Sequence, residues 1–160
     1  MFRAVIFFAF LTAVECCGAV GAFLEDLSAA SPKSTVKALV RAHTGENRLT
    51  LYAVKIGWDG DVLVPKNART HDGRGSWTPY GGRISGNRNS SVITMAYHGE
   101  AGCALPLVDF AFEVRDGARP GYHERAVTLE VLGMVNSGTR DFSPREMKES
   151  SQGLLVEDEL

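Results

Sequence analysis

His43, His71, His98 and His123 are the side chains best able to bind a metal or move a proton, and their spacing suits neither task. None stands two or four positions from another, so no pair shares one face of a strand or helix, and HExxH is absent. The nucleophile elbow G-x-S-x-G is missing as well. Asp59-Gly60-Asp61 offers paired carboxylates, but two acids around a glycine more readily make a solvated turn than an acid/base couple. The sequence therefore implies no catalytic residue, no metal and no cofactor, and the expectation is a protein that is not an enzyme.

A different chemistry stands between residues 66 and 91. Trp77 and Tyr80 lie among Lys66, Arg69, Arg74, Arg83 and Arg88, with Asp72 the one acid between Lys66 and Arg88. Aromatic faces beside guanidinium groups suit the hot spots of protein interfaces. Trp77, Tyr80, Arg74, Arg83 and Arg88 are thus the expected binding residues. The bland alternative is that both aromatics fold back to cap the core while the charges are solvated. Asn89-Ser90-Ser91 is a sequon, so Asn89 is the expected glycosylation site of a secretory protein. A formal net charge of −2 gives no reason to expect nucleic acid as a partner.

These residues need an exported chain to act outside the cell, and the N-terminus has that pattern. Met1-Phe2-Arg3 is cationic, Ala4–Val14 (AVIFFAFLTAV) is apolar, and small residues run to Ala22. This reads as a signal peptide over 1–22, cut after Ala22. The apolar run is well short of the roughly 20 residues that cross a bilayer, so no transmembrane segment is expected. Cleavage there removes Cys16 and Cys17 and leaves Cys103 alone, with no internal disulfide; the thiol is then either buried or paired between molecules, and burial is the commoner fate of a free cysteine. The ending Glu157-Asp158-Glu159-Leu160 is similar to an endoplasmic-reticulum retrieval signal but begins with an acid, so secretion is favoured over retention.

The elements are short and extended. Val36, Ala38, Val40 and Ala42 alternate with polar or longer side chains, and Thr44-Gly45-Glu46-Asn47 supplies a turn before a second run from Leu49 to Ile56. Val62-Leu63-Val64 is a short strand stopped by Pro65, and a weak strand is possible around Ile84. Val92–Tyr97, Val108–Val114 and Val127–Val131 complete the set, with Val40, Leu51, Phe110, Phe112 and Leu129 expected to point inward. Repeated short strands without an amphipathic helix imply a small antiparallel β-sandwich of immunoglobulin-like kind. It is expected over 35–140, after a flexible lead-in at 23–34. A charged tail over 141–160 is expected to be mostly disordered or to form a short helix at Ser143-Pro144-Arg145-Glu146.

Val36-Lys37-Ala38-Leu39-Val40, Thr44-Gly45 and Leu49-Thr50-Leu51 stand at offsets that resemble the start of the β-sandwich propeptide of fungal deuterolysin-type metalloproteases. Phe110–Val114 and Val127–Val135 resemble that family's closing strands. His43 stands where the family has Asn, residues 66–91 do not match, and no zinc ligand is carried over. Leu49–Trp58 is also similar to aegerolysins, small secreted lipid-binding sandwiches. Together these readings give a secreted, monomeric binding protein, effector-like or prodomain- and inhibitor-like, acting on an extracellular or host protein through the 66–91 loop. The alternative is a secreted lipid- or carbohydrate-binding module.

Overall fold

Val36, Ala38, Val40 and Ala42 are all buried, as their alternation requires. They belong to a computed structural model that describes residues 19–71, 77–79, 83–87, 89–144 and 149–158. Its elements are β1 Gly21–Asp26, β2 Ala29–Ala30, β3 Thr35–His43, β4 Leu49–Trp58, β5 Leu63–His71, β6 Trp77–Pro79, β7 Arg83–Asn87, β8 Ser90–Glu100, β9 Leu105–Val114, β10 Gly121–Asn136 and β11 Glu149–Val156. One sheet has the order β1-β3-β9-β5-β6, the other β2-β11-β10-β4-β8-β7. All pairings are antiparallel except β2 with β11. This is the expected β-sandwich.

The core lies between the sheets. Phe112 is fully buried, with its ring centroid 5.7 Å from Trp58 and 6.0 Å from Phe110. Burying one such side chain is worth about 1.5–3 kcal/mol relative to leaving it exposed. At the other end of the core Tyr52 and Tyr97 meet edge-on, and each hydroxyl donates to a carbonyl of β9, Tyr52 to Leu107 at 3.0 Å and Tyr97 to Pro106 at 2.9 Å. The buried phenols are thus satisfied without water. Burial holds the Tyr52 hydroxyl protonated far above the ordinary tyrosine range, and the neighbouring Tyr97 adds to the effect.

Several local expectations give way to packing. Thr44–Asn47 does not close a hairpin: β3 and β4 lie in different sheets, and the turn is an arch across the core. Its geometry is still the one the residues suggest, with Gly45 at φ +60° and the Asn47 N–H on the Thr44 carbonyl at 3.1 Å. Leu51 is 41% exposed, whereas Leu49, Tyr52, Val54 and Ile56 point inward. A register irregularity between Leu49 and Leu51 flips the phase of β4, because a shift of one residue moves the whole row to the other face. Pro65 does not stop β5. The strand continues to His71 with its own register shift between Pro65 and Asn67, the bulge at which a residue without an N–H is tolerated.

The lead-in and the tail are also structured. β1 pairs along β3 from Gly21↔His43 to Asp26↔Ala38. β11 pairs with β10, and Leu154 and Val156 enter the core, so the tail is an integral strand where disorder or a short helix was expected. The capping-box stretch runs into residues 145–148, outside the described residues. Cys103 is half-buried and disulfide-bonded, which corrects the expectation of a free thiol; Cys16 and Cys17, the other cysteines, lie outside the described residues.

Candidate functional site

The Asp59-Gly60-Asp61 turn at the end of β4 forms the centre of three adjoining grooves. The Asp59 carboxylate accepts the Asp61 N–H at 2.9 Å, and the Asp59 carbonyl accepts from Val62 and Leu63 at 3.1 and 2.9 Å. This self-bonding is what makes Asp-x-Asp a turn former. The Asp59 N–H is bonded to the Ala126 carbonyl of β10, and Arg115 Nε donates to the Gly60 carbonyl at 2.6 Å. The turn is thereby fastened to both sheets.

The turn between β7 and β8 closes over it. Trp58 N–H donates to the Asn89 carbonyl at 3.1 Å. A Cβ on Gly60 would stand 2.5 Å from Asn89 Oδ1, so the missing side chain at 60 makes room for the amide of Asn89. Trp58, Asp59, Gly60, Asp61 and Asn89 line a polar groove of about 410 Å³. On one side it adjoins a more apolar groove of about 380 Å³ that adds Pro65, Phe110 and Arg115. On the other, Asp59 and Asp61 face Arg119 and His123 across about 420 Å³, where His123 Nε2 is bonded to the Arg119 carbonyl at 2.8 Å. Indole, carboxylate, amide and guanidinium groups on one rim can accept and donate hydrogen bonds to a polar surface and seat an apolar side chain beside it. Among the described residues no group of three or more His, Cys, Asp or Glu gathers that could hold a metal ion.

Of the expected binding residues, Trp77 and Arg83 lie within the described strands, at the edges of different sheets. The backbone of Trp77 pairs with His71 in β6, at the end of the sandwich that holds Thr44–Asn47. Asn89 is exposed at the opposite end, next to Ser90, which pairs with Gly57. Arg83 begins β7, and Arg74, Tyr80 and Arg88 lie outside the described residues. What reads as one loop therefore includes the edge strand of each sheet. Lys66, on β5, is engaged with Glu113 at 3.1 Å. Sequence reasoning passed over Trp58 and Arg115, whose only local signal was their nearness to Asp-Gly turns.

No known protein family matches the sequence, and no curated protein matches it either. Solved structures do. A cohesin module from a Clostridium perfringens family 33 glycoside hydrolase superposes with a TM-score of 0.64 at 7% identity, over 88% of this chain and 98% of that one. The third cohesin of ScaC from Acetivibrio cellulolyticus, solved in complex with the ScaB dockerin, gives 0.59 at 10% identity over 85% of this chain and 100% of that one. BcpA, the major pilin subunit of Bacillus cereus, gives 0.56 at 12% identity, over 84% of this chain but 39% of its own. At such identities the likeness defines a class of fold, a cohesin-like β-sandwich. It also corrects the resemblance to deuterolysin propeptides, since the structural neighbours are cohesin modules. The matching offsets in β3 and β4 reflect alternating valines and leucines common to many sandwiches.

Proposed function

We propose that this chain is an exported, non-enzymatic module that binds another protein through the end of the sandwich formed by the Asp59–Asp61 turn and Asn89. The observation that carries this is the superposition of most of this chain on whole cohesin modules, one of them solved in complex with a dockerin. Export is supported by the leader-like N-terminus and by the disulfide at Cys103, since such bonds persist in oxidising compartments. Among the described residues no helix is long and apolar enough to cross a membrane. Asn89, exposed within a sequon, would carry its glycan at the same rim and narrow access to the grooves.

The test is capture of a protein partner from extracellular fluid by the immobilised mature chain, followed by direct titration of the purified pair. Asp61→Arg and Arg119→Glu reverse exposed charges on the rim and should weaken binding at least tenfold, while stability stays within about 0.5 kcal/mol. Trp77→Ala, and Arg74→Ala with Arg83→Ala, probe the 66–91 stretch in parallel. Loss of binding in those variants alone moves the interface to the β6 and β7 edges. Sedimentation with liposomes or polysaccharide, without a protein partner, overturns the reading in favour of a lipid or carbohydrate module.

A further inference from the structure

We infer that the more apolar groove beside Asn89 takes an extended, acidic segment of the protein partner. An apolar side chain of that segment enters over Trp58 and Phe110, and a carboxylate two residues away docks on Arg115. This rests on the proposed binding role and names the chemistry that the same rim would recognise. The groove, about 380 Å³, falls within the roughly 300–1,000 Å³ that ligand sites span. It opens where Trp58 ends β4 and where Pro65 interrupts the register of β5. Trp58 and Phe110 floor it from the core, while Val64 and Pro65, both open to solvent, form an apolar wall. Covering that wall with an apolar side chain is favourable.

Among the described residues Arg115 is the one charged side chain that lines this groove. Its backbone N–H donates to the Val62 carbonyl at 2.8 Å and its Nε to the Gly60 carbonyl at 2.6 Å. The half-buried guanidinium is thus held in place, and no ion pair or further side-chain hydrogen bond engages it among the described residues. Its two Nη groups are left as a planar fork, which matches the two oxygens of a carboxylate. The groove runs on into the polar one, with which it shares Trp58, Gly60 and Asn89. A segment can therefore pass along the rim, which favours an internal stretch of chain over a chain end. In extended chain every second side chain faces the same way, so an apolar residue and an acid at that spacing reach the groove together. Asp59 and Asp61 repel a further acid beyond it, which fixes the direction of the charge along the segment.

The test is an NMR titration of the purified chain, from an oxidising host that adds no N-glycan, with the blocked peptide acetyl-Thr-Leu-Thr-Glu-Thr-amide. The Arg115 Nε–H and Trp58 indole N–H signals should move and saturate. The same peptide with Gln for Glu should bind about tenfold more weakly, the scale of a charge-assisted fork. Arg115→Lys keeps the charge but not the fork and should reduce the Glu peptide to the level of the Gln peptide. Because Arg115 also fastens Gly60, Val64→Glu serves as a second variant. It sets a like charge on the groove wall without touching that bond, and should abolish binding of the Glu peptide while the melting temperature holds. Equal affinity for the two peptides, no saturable binding of either, or shifts that bypass Arg115 and Trp58 overturn the inference. A captured protein partner that still depends on Asp61 and Arg119 would then leave the proposed function standing. Asp61→Arg separates the two in the same way, since it should weaken that partner and not the peptide.

Discussion

The Phe23 ring lies stacked on the imidazole of His43, 4.4 Å between centroids with 29° between planes. Through this contact β1, which reads in sequence as a lead-in, covers a titratable side chain that also accepts the Ala104 N–H. One ring thus ties the first strand to the loop that carries Cys103.

Stability should fall in mild acid because of His43. Desolvation lowers its pKa below 6.5, outweighing the opposing pull of Glu25. The unfolded chain therefore takes up the proton first, so this contribution is full above 6.5 and is lost as the pH falls through the lowered folded value. Protonation also removes the acceptor for Ala104. Melting curves at about pH 7.5 and about pH 5.5 should differ more for the wild type than for His43→Gln. Equal pH dependence in both would show that His43 is not the group responsible.

The strand phase of the core can be read from two substitutions. Phe112→Ala empties a fully buried site between Trp58 and Phe110 and should cost about 3–5 kcal/mol. Leu51→Ala, on the outer face of β4, should stay within about 0.5 kcal/mol. Denaturant titration of both distinguishes this phase from the one in which Leu51 points inward.

The C-terminal strand should be indispensable. Leu154 is fully buried, and Leu154→Ala should cost about 2–5 kcal/mol. A chain ending before Glu149 loses one of the two partners of β10 as well as Leu154 and Val156, and should not give a cooperative thermal transition. A truncated chain that melts like the full one would return this segment to the status of a dispensable tail.

Reduction should matter to a protein that otherwise stands on its core. Cys103→Ser should lower stability by about 2–5 kcal/mol, the usual cost of losing a native disulfide in a small secreted domain. Adding reductant should lower the melting temperature of the wild type and leave that of the variant unchanged. Calorimetry with and without reductant checks both.

Much of the architecture was legible because it depends on local period. Val36 to Ala42 and Phe110 to Val114 alternate cleanly, and a row that alternates against polar neighbours has one way to face the core. In β4 both rows are apolar, Leu49, Leu51 and Ala53 against Tyr52, Val54 and Ile56, so period alone could not choose, and the irregularity beside Leu51 decided the matter. Gly45 and Asn47 announced a turn, but the same residues serve a hairpin or an arch; only the sheet on which β4 finds partners distinguishes them. The tail's Leu154-Leu155-Val156 became a strand because β10 extends far enough to receive it. The candidate site belongs wholly to the tertiary level. Asp59 and Asn89 are 30 residues apart in sequence, and they share a rim only because Gly57 pairs with Ser90 and Gly60 has no side chain to hold the Asn89 amide away. The alternating period and its turn residues determined that this chain folds as a sandwich, whereas strand register, a sum of many weak non-local pairings, decided which of its surface groups meet.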